Sequence, residues 1–167
     1  MIGKVPFIAL VSLFMLAGCV PTVEPVAVSP AAEDSSKAIA AFRSYFNHLA
    51  AGDYEGASLL YGGSYDALRD SNPTVDPDDF QTLFMNACEI NGFKCLPVNE
   101  VVEARQVSPG EFKISASFLE GDGQVFVRGP CCGASEQDLP PESVFEFRVM
   151  LNDVRQYTVM DLPVYVP

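Results

Sequence analysis

Residues Ala41-Phe-Arg-Ser-Tyr-Phe-Asn-His-Leu-Ala-Ala-Gly-Asp-Tyr-Glu-Gly-Ala-Ser-Leu-Leu-Tyr61 read as two helices meeting at a tight corner. Ile39, Phe42, Tyr45, Phe46 and Leu49 recur at helical spacing while Lys37, Arg43, Ser44 and Asn47 fall elsewhere, which predicts an amphipathic helix over residues 36–51. Gly52 ends it, and Asp53 is placed to cap a second helix over residues 54–61, with Ala57, Leu60 and Tyr61 as a narrow apolar face.

Downstream, Tyr61-Gly62-Gly63-Ser64 breaks that helix, and Ser64 is placed to cap a further turn through Leu68. Asp76-Pro77-Asp78-Asp79 is a helix start, with a capping aspartate, proline at the first helical position and carboxylates where the macrodipole is positive; this helix is expected to run to about Glu89, ending near Asn91-Gly92. From Leu96 the period changes from helical to alternating. Phe112, Ile114, Ala116 and Phe118 alternate with polar residues, as do Phe145, Phe147, Val149 and Leu151 with Glu146, Arg148 and Met150. Weaker strands are expected over residues 97–107 and 124–128, and a last one over 156–161. Ser108-Pro109-Gly110, Asp122-Gly123 and Asn152-Asp153 supply hairpin turns, so consecutive strands pair antiparallel. Helices first and a meander second make an α+β domain, with N-terminal helices on a curved antiparallel sheet of about five strands.

The N-terminus carries an address. Lys4 followed by the apolar residues 5–16 has signal-peptide length, too short for a permanent membrane span. It ends in Leu16-Ala17-Gly18-Cys19, which resembles the lipobox of bacterial lipoproteins. The resemblance implies that residues 1–18 are removed, that the Cys19 thiol takes a diacylglyceryl group, and that membrane lipid is thereby a partner. Two or three acyl chains anchor firmly, since each buried methylene contributes about 0.8 kcal/mol. Pro21, Pro25 and Pro30 make residues 19–34 a flexible tether that spans up to roughly 45 Å in a polyproline-like state. Val20 stands where an aspartate would mark inner-membrane retention in enteric bacteria, which leans toward an outer membrane, the domain facing periplasm or exterior.

Residues 35–167 suffice for one domain and not two. Cleavage would remove only Lys4 among the charges, leaving nine basic against 22 acidic residues, a formal −13. Such a balance argues against nucleic acid as a partner. Beyond Cys19 remain Cys88, Cys95, Cys131 and Cys132, an even number that in an exported domain reads as two disulfides. A Cys131–Cys132 bridge would close a strained ring, so the expectation is two crosslinks between the Cys88/Cys95 region and the Cys131/Cys132 loop; Cys88–Cys95 plus the vicinal bridge is the alternative. No C-x-x-C pair is present, so these cysteines are not read as zinc ligands.

The run from Ala41 to Tyr61 also resembles the opening helix pair of the nuclear-transport-factor-2-like (cystatin-like α+β) superfamily, including its lipoprotein members of unknown function. The shared features are the aromatic first face and Gly-Asp-x-x-x-Ala, here Gly52-Asp53-Tyr54-Glu55-Gly56-Ala57. The resemblance implies a cone whose open end holds a small apolar ligand, an enzyme site or only side chains. The four cysteines and the long loop of residues 129–141 depart from that pattern, and the loop is placed to roof or obstruct the cavity.

No residue is assigned a catalytic role, and no cofactor or metal is called for. His48, the chain's one histidine, lies off the centre of the apolar stripe, where exposure or an ordinary hydrogen bond explains it. Asp70, Asn72, Asp76, Asp78 and Asp79 invite calcium but lack the EF-hand glycine and terminal glutamate, and helix capping accounts for the last three. Tyr45, Tyr54, Tyr61 and Tyr65 read as core-edge residues with wet hydroxyls. The leading functional reading is a noncatalytic envelope module that binds a small apolar ligand or a protein; the alternatives are an acid–base enzyme of the cone-shaped fold and a structural envelope protein.

Overall fold

The computed structural model describes residues 30–130, 133 and 135–167; Cys19, residues 19–29 of the expected tether, Cys131 and Cys132 lie outside the described residues. Helix α1 spans Pro30–Ala50. It therefore begins inside the segment expected to be tether as far as residue 34. Proline is no obstacle at a first helical position, where its missing N–H has no intrahelical acceptor. The added turn is held locally, by Glu33 paired with Lys37 at 2.7 Å and by Ser36 Oγ donating to the Ala32 carbonyl at 3.0 Å. The predicted stripe is the face that packs: Phe42, Tyr45, Phe46 and Leu49 are buried.

The sheet is antiparallel throughout, in the order β2 (Val98–Ser108), β3 (Glu111–Phe118), β4 (Phe145–Leu151), β5 (Tyr157–Val159). Its inner face carries the predicted alternation, with Phe112, Ile114 and Ala116 buried opposite Val149, Phe147 and Phe145. Two short strands, β1 (Phe93–Lys94) and β6 (Val164–Tyr165), form a separate antiparallel pair that the alternation did not announce. Residues 124–128, expected as a strand, contribute only two isolated bridges, Leu119 with Val125 and Arg128 with Glu142. Between those bridges Phe126 is buried and stacks on Phe145 at 5.6 Å.

Of the helices between α1 and the sheet, α2 and α4 are shorter than expected, and the turn expected through Leu68 runs on to Ser71. Helix α2 is Tyr54–Ser58, with Asp53 Oδ1 accepting from the Gly56 N–H at 3.0 Å, as the cap reading requires. It stops before Tyr61 because Leu60 and Tyr61 leave it to pair with β5: Val159 N–H donates to Leu60 O and Gly62 N–H to Val159 O, both at 2.8 Å. This covers an otherwise bare sheet edge. Glycine is required there, since a Cβ at Gly63 would stand 2.1 Å from the Met160 carbonyl oxygen and one at Gly62 2.5 Å from Thr158 Oγ1. Helix α3 is Asp66–Ser71, and Ser64 Oγ accepts from the Asp66 N–H at 3.1 Å. Helix α4 is Phe80–Glu89, capped by Asp79 rather than by the expected Asp76. Asp76 instead accepts the Asp78 N–H at 2.9 Å, so Asp76-Pro77-Asp78 is a turn ahead of the helix.

Aromatic rings fill the space between α1 and the sheet. Phe46 lies 4.7 Å from Phe118 and 5.1 Å from Phe147, while Phe42 lies 5.4 Å from Phe147, centroid to centroid. Each fully buried phenylalanine contributes roughly 1.5–3 kcal/mol. The sheet face toward α1 is thus occupied by the protein's own side chains.

Candidate functional site

An open groove lies outside that interior, beside the β1–β6 pair. Helix α4 ends at Glu89, and Ile90 and Asn91 both donate backbone N–H groups to Asn86 O, at 2.9 and 2.8 Å. Gly92 then adopts φ +84°, a left-handed conformation natural to glycine, and the chain turns into β1. It passes so close to the C-terminal segment that a Cβ on Gly92 would stand 2.5 Å from Val166 O. Val166 N–H donates to Gly92 O at 3.0 Å, and the Phe93 and Tyr165 rings meet at 5.3 Å.

A disulfide frames this turn. Cys88, in the last turn of α4, is bonded to Cys95 with a Cα–Cα distance of 5.4 Å. This corrects the expectation that both would cross to the Cys131/Cys132 loop. The tight Asn91-Gly92 reversal folds the chain back on α4 and brings two cysteines seven positions apart within bonding reach. The bridged loop supplies Ile90, Asn91, Gly92 and Phe93 as one wall of an open groove of about 700 Å³. Ala67 and Ser71 of α3 line it too, with Leu162, Tyr165, Val166 and the terminal Pro167 opposite. No charged side chain lines it, although the chain's formal charge is −12. Ile90 is 74 % exposed and Tyr165 49 % exposed, so the groove's lining includes two large apolar side chains that face solvent.

The candidates singled out from sequence fall elsewhere. His48 Nδ1 lies 2.7 Å from Asp53 Oδ2, and the Asp53 N–H donates to His48 O at 2.9 Å, so the pair clips the corner between α1 and α2. The Gly56 N–H, and then His48, hold the Asp53 carboxyl below its ordinary pKa. A Cβ on Gly56 would stand 2.6 Å from each partner of this pair, so glycine is what admits the contact.

Asp76, Asp78 and Asp79 are dispersed in separate local contacts. Asp79 caps α4, Asp78 lies 3.5 Å from Arg69, and Asn72 donates to Leu68 O and accepts from Asn86. Among the described residues no three His, Cys, Asp or Glu side chains converge. Tyr54 donates to Glu89 Oε1 at 3.0 Å and Tyr61 to Ser64 O at 2.8 Å. Tyr45 departs from the wet-tip expectation, being fully buried with no hydrogen-bond partner for its hydroxyl among the described residues. Burial raises the Tyr45 phenol well above its ordinary pKa, and burial likewise raises Tyr61 and takes Tyr65 to about 12.

The groove residues were not legible beforehand. β1 and β6 are two residues each, too short for any periodic signal, and Phe93 and Tyr165 meet only because the chain ends of two distant segments pair. The one available signal was Asn91-Gly92 set between Cys88 and Cys95, the pattern of a pinned turn. Comparison with protein-family models, with curated proteins and with solved structures finds no match to this chain.

Proposed function

We propose that this chain is an exported lipoprotein, anchored through acylated Cys19, whose domain is a binding module that docks a protein partner in the groove between α3 and the β1–β6 pair. The carrying observation is the groove itself, apolar, free of charged side chains and pinned on one wall by the Cys88–Cys95 bridge in an acidic chain. Concavities that bear aromatic rings and no charged side chains suit association, because burial of apolar area is the main favourable term and charged side chains would resist desolvation. The Phe42, Phe46, Phe118 and Phe147 rings favour a protein over a small ligand held inside a cone, since they already occupy that interior. A disulfide agrees with an oxidising compartment, and Leu16-Ala17-Gly18-Cys19 supplies the route there.

Two measurements test this reading. Labelling cells with an alkyne fatty acid should tag the wild-type chain and not Cys19→Ser; an unlabelled wild type contradicts the anchor. Native mass spectrometry against the denatured, unreduced mass should show no small molecule released. A reproducible released mass would contradict protein docking and return the module to small-ligand binding. The enzyme reading has one observation in its favour, the His48–Asp53 pair, yet the Asp53 carboxylate is already committed to capping α2.

A further inference from the structure

Strand β2 is the outer edge of the four-stranded sheet: β3 covers one side of its eleven residues and no strand among the described residues covers the other. Open edges of this length invite pairing and are usually blocked by bulges and charges. Here the register with β3 slips between Val98 and Glu100, between Val101 and Glu103, and between Gln106 and Ser108. Between slips runs one regular segment, with Glu103 opposite Ser115, Ala104 opposite Ile114, Arg105 opposite Lys113 and Gln106 opposite Phe112. Two of the displaced residues are valines left in solvent, Val102 at 56 % and Val107 at 37 % exposure.

The regular segment carries one acid and one base two positions apart, on the face that also bears Ser115 and Lys113. Neither Glu103 nor Arg105 has an ion-pair partner among the described residues, whereas the neighbouring Lys113 is paired with Glu146 and Arg148 with Asp161. Two identical strands pairing antiparallel about a two-fold at Ala104 would set Glu103 against Arg105 of the second copy twice over. Moving the two-fold one residue either way sets Glu103 or Arg105 against itself. A parallel in-register pairing sets every charge against its like. Of these registers, the one centred on Ala104 alone sets opposite charges together, and the strand that supplies them is a second copy of this same strand.

We propose that β2 is a self-association edge, joining two copies of this chain antiparallel about Ala104 into one continuous eight-stranded sheet. None of the groove residues lies on β2, so each copy keeps its own groove.

The test is the oligomeric state of the full chain in detergent, by native mass spectrometry and sedimentation equilibrium. Wild type should be dimeric. Glu103→Arg and Arg105→Glu should each weaken the dimer about tenfold or more by replacing two attractive contacts with two repulsive ones, and the double variant should restore it. Both positions are solvent-exposed, and unchanged circular dichroism separates loss of pairing from loss of fold. A wild type monomeric throughout the micromolar range, single variants as dimeric as wild type, a double variant that stays monomeric, or a different protein in place of the second copy would each overturn the proposal.

Discussion

Gly63 shows how one missing side chain sets a boundary. The α2–α3 connection lies against β5 closely enough that a methyl group at Gly63 would meet the Met160 carbonyl oxygen at 2.1 Å, backbone against backbone, with nothing flexible to yield. Gly63→Ala is expected to destabilise the domain by about 3 kcal/mol, the upper end for inserting one methyl into a packed site. Gly121→Ala, where nothing lies within 4 Å of the added carbon, should change stability by no more than about 0.5 kcal/mol. Urea denaturation of both variants checks the pair; equal effects would contradict the close approach. From sequence, Gly62-Gly63 marked the end of a helix, but the reason for two glycines depended on a strand nearly a hundred positions later. Asp53 was legible as a cap because capping is local. Its contact with His48 was not, because that depends on how sharply the chain turns at Gly52.

Among elements, those with a periodic signal were legible and those held by distant partners were not. α1 and β2 to β5 follow from apolar spacing and turn residues, whereas β1 and β6 exist through each other and through the Cys88–Cys95 bridge. The start of α4 shifted from Asp76 to Asp79 because the turn at Asp76 satisfies the Asp78 N–H first. A disulfide spanning seven positions constrains the unfolded chain by about 2.5 kcal/mol on the loop-closure estimate. The Cys88→Ala/Cys95→Ala double variant should lose about that much stability, with hydrogen exchange accelerating first at Ile90, Asn91, Gly92 and Phe93. Uniform acceleration over the whole domain would contradict the local role given to the bridge.

At the scale of the molecule, pH acts from two sides. Burial raises the Tyr45, Tyr61 and Tyr65 phenols above the value near 10 that they have in an unfolded chain. A raised folded pKa gives stability that is fully present below about pH 10 and is lost as pH rises toward the folded values, Tyr65 reaching its own at about 12. The urea midpoint should therefore fall between about pH 9 and about pH 11, and a Tyr45→Phe variant should fall less steeply. The depressed carboxyls of Asp53 and Asp79 act oppositely, their contribution being present above the ordinary aspartate range and lost as pH drops through their lower folded values. A flat midpoint across the alkaline range would contradict the buried position of the three phenols.

The central claim, that the groove without charged side chains is where this domain meets its partner, is tested most directly by a photo-crosslinking amino acid placed at residue 90 in the full chain in its native envelope. Residue 154 serves as the control, because Val154 is 78 % exposed and lines no part of the groove. The account predicts one discrete protein adduct from residue 90 and none from residue 154. No adduct from residue 90, or the same adducts from both positions, would contradict it.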